Sequence, residues 1–168
     1  MRLTIRNRQR PFQPHSARLR DLLRFLAERL RRERPADAWH KLALVLTDDR
    51  AIAAVNRCAL GCDGPTDVIA LEYEPVPGES DGLEAEVFVN LERAWSEGPR
   101  HGATPSQELA LYAAHGFDHL CGADDRTPDG RRRMRRRERR WLAAFPAGTL
   151  FSRRPASAPR AERKESKP

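Results

Sequence analysis

His115-Gly116-Phe117-Asp118-His119-Leu120-Cys121-Gly122-Ala123-Asp124-Asp125 is the stretch on which the reading of this chain turns. His115 and His119 are four residues apart. On a helix that spacing stacks both imidazoles on one face, one turn apart, where they can grip a single ion. Gly122 adopts a left-handed conformation without penalty and so can turn the chain sharply at the helix end. The turn sends Asp124 and Asp125 back toward the same ion. Two rings and one carboxylate, His115, His119 and Asp125, then form a three-ligand site with an open fourth position, the arrangement of a catalytic rather than a structural zinc. A pair of histidines on an exposed helix face is the competing reading, and the glycine turn followed by carboxylates weighs against it.

The flanking sequence frames this segment. Upstream, Pro105 suits the first turn of a helix, with Thr104 as its N-cap and Glu108 placed near the first turn. Downstream, a helix is expected over 128–144, with a buried stripe of Met134, Trp141, Leu142 and Phe145. Its other faces carry Arg131, Arg132, Arg133, Arg135, Arg136, Arg137, Arg139 and Arg140. From 152 onward the chain is Pro, Ser, Ala and charge, which cannot bury enough apolar surface to order itself. Toward the N-terminus, 2–6 alternates like a short strand. Leu19, Leu22, Leu23, Leu26 and Leu30 recur at helical spacing over 15–34, and Pro35 stops that helix. Residues 42–46 read as an apolar strand, followed by a helix capped at Thr47 or Asp48 and running to about Arg57. Gly61 to Pro65 is a turn cluster, 66–71 a strand, 75–82 an acidic loop, 86–90 a strand, and 91–95 a helix. Four strands and about five helices without regular alternation imply an α+β fold, a small mixed four-stranded sheet covered by helices. The expected organisation is a single domain over 1–150 and a disordered basic tail over 151–168.

The 168 residues suit one core. Net charge is +7, but 1–34 carries +8, 35–125 carries −12 and 126–168 carries +11. Basic ends around an acidic middle suit a polyanion such as RNA, because neutralised phosphates release counterions. No apolar run approaches the roughly 20 residues that span a bilayer. The Arg-rich N-terminus lacks an apolar stretch behind it and is followed by Asp21, Glu28 and Glu33, so neither a secretory signal nor an organelle presequence is expected. Cys58, Cys62 and Cys121 are too few for a disulfide framework, which leaves a reducing cytoplasm as the expected compartment. Cys58 and Cys62 have a spacing compatible with a structural metal, but no second pair stands nearby.

The quoted segment resembles the signature H-G-x-L-H-L-x-G-Y-D-H of the YbeY family of bacterial endoribonucleases that mature ribosomal RNA. His115, Gly116, His119, Leu120, Gly122 and Asp124 match it position by position. A second block, Asn56-Arg57 with Gly61, Asp63, Pro65-Thr66-Asp67-Val68-Ile69, is similar to that family's N-R-x-x-R-G-x-D-x-P-T-D-V-L. The segment around Phe88-Val89-Asn90 and the pair Glu108-Leu109 also fit, so the resemblance covers about residues 2–145. Four positions depart from it. The motif's first leucine falls on Asp118. The third histidine falls on Asp125, a competent zinc ligand whose charge lowers the metal's Lewis acidity. The tyrosine falls on Ala123. The arginine before the glycine, which in the family serves activity, falls on Leu60.

The resemblance implies a zinc-dependent endoribonuclease that hydrolyses RNA phosphodiesters in the cytoplasm, with a ribosomal RNA precursor as substrate and the small ribosomal subunit or its proteins as further partners. Asp118, Asp124 and Glu108 are candidate bases, and Arg57 is the candidate substitute for the missing arginine. Arg131, Arg132, Arg135, Arg136 and Arg139 are candidate RNA contacts. Asp67 is a candidate to orient a ligand histidine. A zinc protease is disfavoured, because Gly116 stands where such an enzyme keeps its glutamate. The rival of another class is a catalytically impaired RNA-binding maturation factor of the same fold.

Overall fold

The structure, a computed structural model, describes residues 1–75, 78, 82–145 and 148–154. In chain order the elements are β1 (Arg2–Asn7), β2 (Phe12–Pro14), α1 (Ser16–Glu33), β3 (Trp39–Thr47), α2 (Asp49–Leu60), β4 (Val68–Tyr73), β5 (Leu83–Asn90), α3 (Leu91–Arg100), α4 (Pro105–Leu120), α5 (Pro128–Ala143) and β6 (Phe151–Arg153). The main sheet has the order β1-β3-β5-β4, with β1, β3 and β5 parallel and β4 antiparallel to β5. This is the mixed four-stranded α+β sheet with five helices that the sequence leads one to expect.

β3 is apolar at nearly every position because it is central and covered on both faces. Leu42, Leu44 and Leu46 point into the larger core with α1, α3 and α4, while Ala43 and Val45 point to a smaller cluster with Ile52 and Val55 of α2. α4 lies closest to the sheet. A methyl group on Gly116 would stand 2.5 Å from Val87 Cγ1 and 2.9 Å from Val68 Cγ2. Glycine here lets the helix backbone approach β4 and β5, and that approach fixes the height of the flanking histidines.

Two details differ from the sequence expectation. The helix expected over 91–95 extends to Arg100, with Pro99 inside its last turn. The expected tail is ordered at its start: β6 pairs antiparallel with β2, with Phe12 opposite Arg153 and Pro14 opposite Phe151. Leu150 and Phe151 are buried, and the Phe151 ring packs edge-on against Phe12 at 5.3 Å. An aromatic pair closing the sheet of two three-residue strands leaves too short a pattern to read from sequence. Residues 155–168 of the expected tail, and most of the acidic loop expected over 75–82, lie outside the described residues. Among the described residues no helix is long and apolar enough to cross a membrane.

Candidate metal centre and its cleft

α4 is held at both ends by local chemistry. Thr104 Oγ1 accepts from the Gln107 amide at 3.2 Å, and the Gln107 side chain accepts from the Thr104 amide at 2.8 Å. This capping box uses Gln107 rather than Glu108. At the other end Gly122 sits at φ +82°, its N–H donates to His119 O at 2.8 Å, and the Ala123 N–H donates to Asp118 O at 3.1 Å. These bonds satisfy the last carbonyls of the helix and reverse the chain. The first turn of α5 then presses on the returning loop. A methyl group on Gly130 would stand 2.0 Å from Asp124 O. Arg131 braces the same loop from above, donating to Asp125 O at 2.8 Å.

The result is that His115, His119 and Asp125 offer ligand atoms all within 4.8 Å of one another. His115 Nε2 lies 3.1 Å from His119 Nε2 and 3.8 Å from Asp125 Oδ2. The opposite ring nitrogens are tied down. His115 Nδ1 meets Glu138 Oε1 at 2.6 Å, and His119 Nδ1 meets Ala123 O at 3.2 Å. A carboxylate and a carbonyl can only accept, so each Nδ1 carries the ring's proton and each Nε2 is bare in the neutral form. Two bare lone pairs facing each other at this separation repel unless a cation lies between them. The donor set therefore fits a divalent metal bound by two imidazoles and a carboxylate. Without a metal a proton serves the same need. Burial alone would lower the His115 pKa, but the hydrogen bond and charge of Glu138, aided by Asp67 and Asp125, outweigh it and leave the value raised.

Glu138 is the member of the candidate centre that sequence reasoning missed. It is 3% exposed and takes the orienting role expected of Asp67. A signal existed: it is the one acid between Arg131 and Ala143, and it falls four residues after Met134 and three before Trp141, inside the buried stripe. Asp67 instead accepts from Thr66 Oγ1 at 2.9 Å and influences His115 through its charge alone.

The other candidates separate. Asp118 is fully buried and forms an ion pair with Arg137 that braces α4 to α5, so it does not open into the cleft. Burial raises its pKa, and the Arg137 charge only partly offsets this. Asp124 lies beside the ligands but is clamped by the backbone N–H and the guanidinium of Arg126, which pull its pKa down to about 2. A carboxylate held so acidic is a poor proton acceptor. Glu108 is 3% exposed and bonds His101 Nδ1 at 2.9 Å, which leaves His101 as the exposed member of that pair. Arg57 is exposed and paired with Asp63 at 3.2 Å, and it does not line the cleft. Leu60 is exposed at the end of α2. Cys58 and Cys62 are exposed and belong to no potential metal cluster among the described residues.

His115, Asp125 and Glu138 open into a cleft of about 1950 Å³. Arg131, Arg135 and Arg139, one turn apart on α5, line it, as do His101 and Arg93. Arg132 pairs with Asp129, and Arg136 faces a second hollow. Of the five arginines expected to contact RNA, Arg131 and Arg135 line the cleft alone, Arg139 lines both hollows, Arg136 lines the second alone, and Arg132 lines neither.

The sequence model of endoribonuclease YbeY matches residues 4–146. The chain belongs to the endoribonuclease YbeY family. Among YbeY relatives, one from Salinibacter ruber is 35% identical over 112 residues, 63% of this chain and 71% of that protein. One from Rhodopirellula baltica is 43% identical over 94 residues, 55% of this chain and 47% of the relative. One from Bacillus mycoides is 29% identical over 135 residues, covering 76% and 86%. A solution structure of a Thermotoga maritima protein shares the fold, with a TM-score of 0.53 at 20% identity, over 85% of this chain and 91% of that one. Within the YbeY frame, Asp125 and Leu60 stand at the two positions where the signature resembled above carries histidine and arginine.

Proposed function

We propose that the protein is a metal-dependent endoribonuclease that hydrolyses RNA phosphodiesters, with one zinc ion held by His115, His119 and Asp125. The single observation that carries this reading is the pair of bare Nε2 atoms at 3.1 Å, each with its Nδ1 tied to an acceptor, beside the Asp125 carboxylate. When bound there, the ion supplies Lewis acidity at a phosphoryl oxygen and an acidified water. The chain's own residues do the rest. Glu138 and the Ala123 carbonyl hold the two rings in the ligating tautomer. Arg135 and Arg139, with Arg131 above the ligand loop, offset the acidic cleft and receive phosphates. His101, aimed by buried Glu108, offers its Nε2 to take or give a proton. Family membership and the basic flanks support action on a ribosomal RNA precursor in the cytoplasm, in ribosome maturation and quality control, with small-subunit components as partners.

The departure at Leu60 favours a second reading, an RNA-binding maturation factor with impaired catalysis, since neither Leu60 nor Arg57 brings charge to the cleft. Elemental analysis of the purified protein and of Asp125→Ala, beside cleavage of a structured RNA before and after chelation, tests both. About one zinc per chain, lost in the variant, with cleavage that stops on chelation and returns with zinc, is the expected result. Zinc and RNA binding without cleavage selects the second reading. A protein that takes up no metal from excess zinc refutes the site.

A further inference from the structure

α5 carries two separate rows of arginine. One row, Arg131, Arg135 and Arg139, lines the cleft of the metal centre. The other includes Arg133, Arg136 and Arg140, which line a second hollow of about 880 Å³ on the opposite flank of α5, walled by the back of the Gly122–Asp124 turn. All three are exposed, and among the described residues their guanidinium groups have no ion-pair or hydrogen-bond partner. By contrast Arg132 is paired with Asp129, and Arg137 with Asp118 and Glu33. Arg139 and Met134 line both hollows, so the two adjoin across α5. Three unneutralised cations on two turns, with Arg136 and Arg140 about 6 Å apart along the axis, are a site for a chain of phosphates.

The geometry points to a second RNA-contact track on the outer flank of α5, made by Arg133, Arg136 and Arg140, which holds the part of the substrate that leaves the cleft over Arg139. This rests on the reading of the cleft as a ribonuclease site and extends it from the cut position to the flanking strand. An anionic bilayer is the other polyanion to consider, and α5 is ill suited to it. Its large apolar residues Met134 and Trp141 are buried against the body of the protein, so no apolar face remains to insert. Because the outer row contacts no ligand residue, its loss should act on binding of long substrates and leave the chemistry of short ones unchanged.

The test uses the full chain, a structured RNA with a single-stranded extension, and an oligonucleotide short enough to fill only the cleft. Binding is measured by fluorescence anisotropy across salt with zinc chelated, and cleavage separately with zinc present. For the triple variant R133A/R136A/R140A the salt slope for the long RNA should be shallower by about 2, from three phosphate contacts at about 0.7 each. Affinity for the long RNA should fall at least about tenfold at the low-salt end, where those contacts count most. Zinc content and the rate on the short oligonucleotide should stay at the wild-type level. If the triple variant fails to fold, Arg136→Glu is read by the same slope. An unchanged slope, an equal loss on both RNAs, or binding to anionic vesicles in place of RNA overturns the track. Wild-type protein that binds with the full slope but never cleaves refutes the ribonuclease reading and leaves the track standing.

Discussion

Replacing Glu138 by glutamine keeps the shape of the side chain and one acceptor oxygen but removes its charge from a site that is 3% exposed. The carboxylate sits 2.6 Å from His115 Nδ1, a short charge-assisted contact that fixes the tautomer and enriches the electron density at Nε2. Losing such an orienting partner typically costs about 10- to 100-fold in metal affinity, or about 1.4–2.7 kcal/mol. The glutamine variant should fall near the low end, since its oxygen can still accept, and Glu138→Ala near the high end. Zinc affinity by competition with a chromogenic chelator reads this directly, with circular dichroism to verify folding. The metal-free proteins give an independent check. Burial would lower the His115 pKa, but Glu138 outweighs it and holds the folded-state value above the ordinary imidazole value of about 6.5. The pair therefore stabilises the metal-free fold fully below about pH 6.5, and that contribution disappears as pH rises through the higher folded value. The stability gap between wild type and Glu138→Gln should be widest in acid and close at alkaline pH. Equal zinc affinity in all three proteins, with a gap that does not depend on pH, would refute the role assigned to Glu138.

Gly116→Ala places a methyl group 2.5 Å from Val87 Cγ1 and should destabilise by about 1–3 kcal/mol, lowering Tm by roughly 2–10 °C in a calorimetric scan. Gly130→Ala meets the Asp124 carbonyl at 2.0 Å and should displace the loop that carries Asp125. Zinc affinity should therefore drop more than tenfold, about 1.4 kcal/mol, measured by the same chelator competition. Asp124 should titrate by NMR with a midpoint of about 2. Arg126→Ala should return it to the ordinary carboxylate range near about 4, and an unshifted midpoint would sink the clamp.

Local patterning along the chain was enough to locate the five helices and the candidate metal-binding triad. His115, His119 and Asp125 lie within one helix end and its turn, where geometry follows from helical spacing and one glycine. The charge map likewise announces a basic α5. What those patterns do not carry is which neighbours other elements bring. Glu138 is 23 residues from His115, and only the packing of α5 on α4 joins them. The same packing buries Asp118 under Arg137 and sorts the arginines of α5 into two rows. The pairing of β2 with β6 joins segments nearly 140 residues apart through backbone bonds that leave no periodic trace in so few residues. Short-range order comes from the torsional and amphipathic preferences of adjacent residues. Long-range neighbours are chosen by burial and charge compensation summed over the whole core, a quantity no single segment encodes.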